Sequence, residues 1–304
     1  MRSSVIIPSY QSAATIGACL AAVLNQDIGD AFEVFVADSG TDATAEIVRR
    51  DFPAVRLLES NTRLDPALAR NWAAREARGA VLAFIDSDCE ADPDWLRRLC
   101  AVLENEAYDG VGGAIRPVGE SNRTGWAGYF CEFREFLPAG AATDATYLTI
   151  NNAAYRRDTF WRAGGFPVGY FPQEDQVFYQ RLCAVASPRV RFDPSIVVKH
   201  HHRREVAAFL AHQAKIGAAN ARVVLALGLR GAWIASRPWL AIVLLPALAT
   251  YRFVRTLIAC WNQERCLILR SPVVAGLCWL GMFAWAVGFA RGSLSEATAQ
   301  RHGQ

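Results

Sequence analysis

The stretch AVLAFIDSDCE, residues 80–90, decides the fold of this chain. Its apolar run has the composition of a buried strand, and two aspartates, Asp86 and Asp88, stand at its end. An unpaired carboxylate inside a buried strand is strongly disfavoured, so we expect both side chains at the exposed carboxyl end of the strand. Open α/β sheets bind their ligands at this edge. The stretch therefore predicts a strand and a site together.

Short apolar runs alternate with amphipathic segments up to about residue 116. The apolar runs are VIIP at 5–8, FEVFVAD at 32–38, AVRLLES at 54–60 and AVLAFID at 80–86. Two Asp-Pro pairs, at 65–66 and 92–93, predict helix starts, with the aspartate as the cap and the proline at the first helical position. Strands separated by helical segments of this length predict βαβ units, and hence an α/β fold with a mostly parallel sheet.

Polar residues follow three of these strands, and the parallel arrangement should bring them to one edge of the sheet. They are Pro8, Ser9 and Tyr10 after the first strand, Asp38 after the second, and Asp86, Ser87 and Asp88 after the fourth. Two carboxylates two positions apart suit Mg²⁺ or Mn²⁺, which bind oxygen ligands and bridge substrate phosphates. The alternative is that Asp86 or Asp88 caps the next helix, although the Asp92-Pro93 pair is available for that role.

Composition and charge limit the classes of protein to which this chain could belong. The chain has 304 residues, 52% of them hydrophobic, which excludes disorder and allows one large domain with or without an appendage. Through residue 198 there are 19 Lys and Arg against 26 Asp and Glu, and from Lys199 onward there are 13 against 3. An acidic body with a basic, Trp-containing tail predicts an enzyme lying on an anionic membrane, with no nucleic-acid partner.

The cysteines and the opening of the chain indicate the compartment. The eight cysteines form no CxxC pair and no metal-ligand spacing, so we expect reduced thiols. The opening MRSSVIIPSYQS has the pattern of a strand followed by a polar turn rather than that of a secretory signal. We therefore expect the protein at the cytoplasmic face of the inner membrane.

Four ordered segments resemble the signature blocks of the family 2 glycosyltransferases, which have the GT-A nucleotide-binding fold. They are VIIPSYQSAATIGACLAAVLNQ, VFVADSGTDATAEIV, LARNWAAREARGAVLAFIDSDC and NNAAYRRDTFWRAGGFP with QEDQVFYQRL. The resemblance spans residues 4 to about 200 and implies a sugar transferase that uses a nucleoside-diphosphate sugar, UDP- or GDP-linked, and inverts the anomeric centre. The second block departs slightly, because Asp38 stands alone where the family shows two adjacent acids.

The resemblance implies roles for the residues at the edge of the sheet. Asp88 is the expected metal ligand, with Asp86 nearer the ribose and the ion. The nucleotide-sugar site would also include Pro8, Ser9, Tyr10, Asp38, Arg70 and Ser87. Arg70 could reach the diphosphate or the Asp86 carboxylate, and the alternative is a solvated arginine on a helix face.

A second carboxylate pair, Glu174-Asp175, follows a Gly-Gly-Phe-Pro turn and opens a predicted helix. A helix amino terminus favours an ionised carboxylate by roughly 0.3–1 kcal/mol, which would hold a base ready to take a proton from an acceptor hydroxyl. The family pattern implies that Asp175 is the catalytic base and Glu174 its neighbour, although the residues themselves order neither before the other. Helix capping is the alternative for both.

The stretch VVKHHHR, residues 197–203, follows the last strand of the predicted catalytic domain. Many similar enzymes complete the metal shell with a histidine here, and imidazole suits Mn²⁺. In an extended chain His200 and His202 point to one side and His201 to the other. We favour His200, then His202, and the alternative is three surface histidines in a basic stretch.

The remaining third of the chain predicts helices at a membrane. Residues 203–230 have the period of an amphipathic interfacial helix, and residues 231–304 contain two apolar stretches, at 239–250 and 271–290. A full hairpin would place the arginines between these stretches, Arg252, Arg255, Arg265 and Arg270, away from the cytoplasm, against the positive-inside tendency. A re-entrant or partly embedded hairpin is favoured, with a spanning hairpin or a buried soluble helix pair as alternatives.

The predicted organisation is a GT-A catalytic domain at 1–202, with a nucleotide-sugar half at 1–116 and an acceptor half at 117–202, followed by the interfacial and membrane-associated helices. The processive Gln-x-x-Arg-Trp motif is lacking at HQAKIGA, which favours one sugar per encounter. The expected acceptor is a hydroxyl of a lipid-linked or other glycan, in glycolipid or surface polysaccharide synthesis. The alternatives are a nucleotidyltransferase on a similar sheet and an inactive membrane scaffold.

Overall fold

The computed structural model describes residues 3–29, 31–105, 108–119, 122–261 and 270–302. These residues form two compact units. The first, called the sheet unit, contains residues up to 116 and residues 138–201. The second, called the helical unit, contains residues 117–137 and the residues from 202 onward. The sequence predicts that the catalytic domain ends at residue 202, and the sheet unit ends one residue earlier.

The sheet unit is built on one mixed sheet. Its strands are β1 Ser3–Ser9, β2 Phe32–Asp38, β3 Arg56–Glu59, β4 Val81–Ile85, β5 Cys89–Ala91, β6 Gly110–Pro117, β7 Thr143–Asp144, β8 Asn152–Arg156 and β9 Val190–His200. Their order is β3-β2-β1-β4-β8-β6-β9-β5, and β7 pairs with β9. The first four strands in this order are parallel neighbours, whereas β8 runs antiparallel to β4 and β6, and β9 runs antiparallel to β5 and β7.

The predicted α/β class is therefore confirmed, while the parallel pairing is limited to the part of the chain that contains helical crossovers. Those crossovers are what parallel pairing needs. Strands β1 and β4 are buried along their whole length, as expected for parallel strands covered on both faces. Beside them an aromatic cluster of Phe84, Phe160, Phe166 and Phe178 has neighbouring ring centroids 4.9–5.3 Å apart.

Helices cover the sheet and place its loops. They are α1 Ile16–Leu24, α2 Thr44–Asp51, α3 Pro66–Glu76, α4 Trp95–Asn105, α6 Arg157–Arg162 and α7 Glu174–Val185, with α5 in the other unit. Asp65 caps α3 as predicted, because its side chain accepts a hydrogen bond from Ala67 N. The second predicted cap is wrong: α4 begins at Trp95, and the Asp92 carboxylate lies 3.0 Å from Lys199 Nζ on β9 instead.

The helical unit contains six helices among the described residues. They are α5 Arg123–Phe133, α8 Val206–Ala226, α9 Ala232–Ala235, α10 Pro238–Val243, α11 Leu245–Trp261 and α12 Pro272–His302. Residues 117–137, predicted to belong to the acceptor half, lie here because most of α5 is buried, and α5 packs against α8, α11 and α12. Arg265 of the predicted basic loop lies outside the described residues.

Helices α8 and α12 approach each other through glycines. A Cβ atom at Gly217 would lie 1.9 Å from the Trp285 carbonyl oxygen, and one at Gly288 would lie 1.9 Å from the Ala214 carbonyl oxygen. Only glycine fits at such a distance. Within α12, residues Pro272–Thr298 form the one described segment long and apolar enough to cross a membrane, and half of its apolar window is buried.

Many large apolar side chains of the helical unit are nevertheless exposed. They are Val206, Trp233, Trp239, Ile242, Val243, Tyr251, Val254, Ile258, Trp261, Val273, Trp279, Leu280 and Leu294. On α11 the exposed members recur at intervals of three and four residues, which places them on one side of the helix. A row of exposed apolar side chains along one side of a helix indicates an interaction site.

Candidate active site

The loops after β1 and β2 are bonded to each other at the carboxyl edge of the parallel strands. Gln11 adopts a left-handed conformation (φ 56°), and its Oε1 accepts hydrogen bonds from Thr41 N and Asp42 N, both at 3.0 Å. Asp42 in turn accepts from the amide and hydroxyl of Thr44 at the start of α2. Sequence reasoning missed Gln11 and Asp42, although both lie inside the quoted signature blocks.

The residues predicted to hold the nucleotide lie along this edge. Ser9 and Asp38 are partners in the β1-β2 register, and the Asp38 carboxylate accepts from Gly40 N. Asp38 is almost fully buried, and burial raises its pKa. Tyr10 is exposed, with the Arg63 guanidinium 4.3 Å from its ring centroid. Pro8 is buried within β1.

Asp86, Ser87 and Asp88 form a turn directly after β4, as the strand pattern predicts. The Asp86 carbonyl oxygen accepts from Cys89 N at 3.0 Å, and the Ser87 hydroxyl lies 2.8 Å from that of Ser12. Strand β5 then pairs with β9 in a register that sets Cys89 opposite His200. This pairing brings His200 Nε2 to 3.5 Å from Asp88 Oδ2.

The ligand atoms of Asp88, Cys89 and His200 lie within 4.8 Å of one another and could hold a metal ion. Burial raises the pKa of the Cys89 thiol well above its usual range, so the thiol stays protonated and is a poor ligand. A carboxylate oxygen and an imidazole nitrogen remain, a donor pair that suits Mn²⁺ better than Mg²⁺. The residues present therefore fit the predicted cation.

The three histidines have different surroundings. His200 is buried beside Asp88, and His201 Nε2 lies 2.7 Å from Glu90 Oε1. His202 belongs to the helical unit, where its ring meets Tyr129 and Phe133 edge-on, each at 5.7 Å. The geometry around His200 is that of a possible ligand, while the His202 ring packs against two aromatic rings.

Arg70 joins the two predicted carboxylate clusters. Its guanidinium is 2% exposed, and Nη2 donates to Asp86 Oδ1 at 2.6 Å while Nη1 donates to Glu174 Oε1 at 2.8 Å. Burial alone would lower the pKa of Arg70, but the charges of Asp86 and Glu174 outweigh it and raise the pKa. The alternative of a solvated helix-face arginine is therefore wrong, and the predicted contact with Asp86 is present.

Helix α7 begins at Glu174, after a turn anchored to α3. Gly164 and Gly165 have positive φ values of 83° and 73°, and Phe166 exchanges two backbone hydrogen bonds with the Asn71 side chain, at 2.9 and 2.7 Å. A Cβ atom at Gly165 would lie 2.7 Å from Asn71 Oδ1. Asn71 was not singled out from the sequence, although it follows Arg70 in the third block.

Glu174 and Asp175 differ in what surrounds them. The Glu174 carboxylate is buried against Arg70, and burial raises its pKa although Arg70 opposes the shift. Burial, and then the negative charge of Glu174, raise the pKa of Asp175 to about 7. A carboxylate whose pKa lies near neutrality is suited to accept and release a proton in catalysis.

The sheet and its site define the class of protein. Four parallel strands carry an acidic edge, an antiparallel extension brings in a histidine, and a buried arginine links two acid pairs. The family model described as Glycosyl transferase family 2 matches residues 4–164, just over half of the chain. The chain therefore belongs to glycosyl transferase family 2, and it is a glycosyltransferase.

Individual relatives agree with this assignment. The glycosyltransferase AglE of Haloferax volcanii is 28% identical over 225 residues, which cover 72% of this chain and 73% of AglE. The uncharacterized glycosyltransferase YfnE of Bacillus subtilis is 37% identical over 112 residues, covering 35% of this chain and 28% of YfnE. The chain thus spans most of one relative and under a third of the other.

Two solved structures show the same fold. The mannosyltransferase PcManGT of Pyrobaculum calidifontis, solved with GDP-Man and Mn²⁺, has a TM-score of 0.62 at 22% identity, covering 97% of this chain and 87% of its own. TarS 1–349 of S. aureus, solved with UDP-GlcNAc, has a TM-score of 0.53 at 20% identity, covering 100% and 93%. The fold is therefore similar over nearly all of the chain.

Proposed function

We propose that this glycosyltransferase moves a sugar from a nucleoside-diphosphate sugar to an acceptor hydroxyl, with inversion of the anomeric centre and with the help of a divalent cation. The observation that carries the proposal is the double ion pair of Arg70. In this pair one guanidinium binds both Asp86, which follows β4, and Glu174, which opens α7. Donor-side and acceptor-side carboxylates therefore belong to a single site.

The donor side is supported by chemistry and by the neighbours. Asp88 and His200 would hold Mn²⁺ or Mg²⁺, and a bound cation neutralises the charge that builds on the diphosphate leaving group. UDP-GlcNAc and GDP-Man, the latter with Mn²⁺, are bound in similar structures. Pro8, Ser9, Tyr10 and Asp38 would then contact the base and ribose, and Ser87 would lie beside the diphosphate.

The acceptor side supplies the base. Asp175 would accept the proton of the acceptor hydroxyl as the new C–O bond forms and the bond to the diphosphate breaks on the opposite face of the sugar. Glu174 is already paired with Arg70, so we assign it to positioning rather than to proton transfer. Arg70 holds Asp86 and Glu174 in place, which also makes it a positioning residue.

Membrane association is part of the proposal. The exposed apolar residues of the helical unit and the 13 basic against 3 acidic residues from Lys199 onward support docking on an anionic cytoplasmic membrane face. The acceptor would be lipid-linked or a glycan. One relative over 36% of the chain is named a poly(ribitol-phosphate) β-N-acetylglucosaminyltransferase, which supports a place in surface polysaccharide synthesis.

The test is product release from the purified full chain. We expect nucleoside diphosphate from one member of a panel of UDP- and GDP-sugars with Mn²⁺ and an acceptor extract, loss of release with excess chelator, and an inverted anomeric configuration by NMR. Pyrophosphate release from a nucleoside triphosphate would instead indicate a nucleotidyltransferase. Release of neither product across the panel would favour an inactive scaffold. Asp158→Asn, at an exposed side chain on α6, is the matched control.

A further inference from the structure

Two arginines of the helical unit, Arg134 and Arg255, share one carboxylate among the described residues. Glu135 Oε1 lies 3.2 Å from Arg134 Nη2 and 3.3 Å from Arg255 Nη2. The Arg134 side chain is 10% exposed, and its Nε is shielded from solvent without a hydrogen-bond partner. Two arginine side chains therefore form ion pairs with the single carboxylate of Glu135, which is itself partly exposed.

Arg252 is a third cation of this unit, and its charge is less well compensated by its surroundings. Its guanidinium carbon lies 4.0 Å from the ring centroid of Trp285, and its Nε is buried without a hydrogen-bond partner. In the part of the chain that the structure describes, no carboxylate lies within ion-pair distance of it. Burial, and then the charge of Arg134, lower the pKa of Arg252 to about 9, so the side chain is still charged at neutral pH.

A charge withdrawn from water without a counter-ion is strongly disfavoured, and adding a second like charge nearby increases the penalty. Guanidinium groups bind phosphate oxygens well, because several N–H donors lie in one plane and stay charged. The arginine group therefore has the chemistry of a phosphate site that takes its counter-charge from outside the chain.

The same helix carries an apolar surface. Tyr251, Val254 and Ile258 of α11 are exposed, with Arg252 and Arg255 between them in sequence. A ligand that satisfies both features has a phosphate group and an apolar chain. Free phosphate satisfies the arginines alone and leaves the apolar side chains in water.

We propose that Arg134, Arg252 and Arg255 bind the phosphate group of a membrane lipid, whose chains lie along the exposed side of α11. The proposal rests on the membrane association proposed above and not on the transfer reaction. It assigns a specific lipid contact to α11, whereas the segment of α12 that is long and apolar enough to cross a membrane has half of its apolar window buried.

The test measures binding by the full chain with two probes. Calorimetry with dihexanoyl phosphatidic acid below its micelle concentration, and with inorganic phosphate, separates a lipid phosphate from the free ion. Flotation with phosphatidylcholine vesicles, with or without phosphatidic acid, measures docking on a bilayer. We expect binding of the short-chain lipid to exceed that of inorganic phosphate by at least about tenfold, since the apolar chains add buried surface.

Variants separate this site from a general charge effect. Arg252→Gln and Arg134→Gln should each weaken binding of the short-chain lipid by about tenfold, the loss typical of a charged hydrogen bond. Arg230→Gln, an exposed arginine in the same unit, should leave binding unchanged. Glu135→Gln should strengthen binding severalfold, because it removes the competing carboxylate. Arg255→Gln, at a half-exposed side chain, covers the case in which a buried variant does not fold.

Several outcomes would overturn the proposal. Equal loss in Arg230→Gln and Arg252→Gln would indicate a general electrostatic effect, and weaker binding by Glu135→Gln would contradict the charge argument. Equal binding of inorganic phosphate and the short-chain lipid would remove the lipid assignment. Binding of the short-chain lipid without flotation on any vesicle would support the arginine site and overturn the membrane association instead.

Discussion

Each of the two units contains an arginine with a buried Nε, fully buried for Arg70 and partly exposed for Arg252, and the two have opposite surroundings. In the sheet unit Arg70 is held by two carboxylates, at 2.6 and 2.8 Å. In the helical unit Arg252 stacks on Trp285 and has no carboxylate within ion-pair distance among the described residues. A charge balanced by carboxylates of the chain joins two parts of one site, whereas the charge without such a carboxylate is the one for which we propose a lipid phosphate as partner.

The largest expected effect lies in the sheet unit, where we place the chemistry. Asp175→Asn should lower turnover by roughly two to four orders of magnitude while donor binding changes little, because the variant loses only the proton acceptor. Turnover and donor affinity are measured separately, by diphosphate release and by calorimetry with the donor sugar. Glu296→Gln, at a partly exposed site of the helical unit that pairs with Arg222, should leave turnover unchanged.

Near wild-type turnover of Asp175→Asn, or loss of donor binding in that variant, would contradict the assignment of the base. Glu174 would then be the next candidate. Glu174→Gln is expected to affect turnover less, because its carboxylate is committed to Arg70.

The second effect concerns the cation side of the same unit. Asp88→Asn should reduce turnover by about two to three orders of magnitude, since one ligand of a charge-stabilising ion is lost. Excess chelator should do the same to the wild-type enzyme, and added Mn²⁺ should restore it. Full activity of the wild type in excess chelator would rule out the metal role, whatever the variant does.

The third prediction compares the two arginines directly, by the free energy of unfolding in urea. Arg70→Gln should cost about 3–5 kcal/mol, because the buried Glu174 carboxylate and the partly exposed Asp86 carboxylate lose their partner. Arg252→Gln should cost little or should stabilise the protein, because it removes a partly buried charge that no carboxylate among the described residues pairs with. Arg75→Gln, at an exposed position of α3, is the control and should change stability by at most about 0.5 kcal/mol. Similar losses in the free energy of unfolding for Arg70→Gln and Arg252→Gln would contradict the contrast between the two arginines.

The smallest effect is the pH dependence set by Asp175. Its pKa is about 7 in the folded chain and near 3.8 when unfolded, so the stability it contributes is complete below pH 4 and is lost as pH rises to 7. Activity should change in the opposite direction and rise through pH 7 as the base ionises. The Tm of Asp175→Asn minus the Tm of wild type should therefore be larger at pH 8 than at pH 5. The same Tm difference at both pH values would show that Asp175 ionises normally.

Local sequence was enough to predict the features that depend on neighbours in the chain. The run at 80–86 predicts a buried strand with its aspartates at the exposed end, and Asp65-Pro66 predicts a capped helix, and both are present. The parallel pairing of the first strands follows from the alternation of strand and helix patterns. These features need no knowledge of distant contacts.

Features that depend on distant partners could not be predicted. Arg70 and Glu174 are 104 residues apart, and the local sequence around either residue does not indicate that the other is its partner. Asp92 was predicted to cap a helix, but its carboxylate pairs instead with Lys199, which lies on a strand much later in the chain. The alternation rule placed His200 and His202 on one side, but β9 and the sheet unit end between them. The proposed catalytic, nucleotide and metal roles themselves remain predictions.

The glycine contacts between α8 and α12 bear on how the protein could exchange between water and lipid. At Gly217 and Gly288 the two backbones touch, and the attraction between touching atoms is dispersion, which does not require water to be expelled. A helix pair held in this way packs equally well in an aqueous and in a hydrocarbon surrounding. The helical unit could therefore enter and leave a bilayer surface without rearranging this pair, which is what reversible residence on a membrane requires.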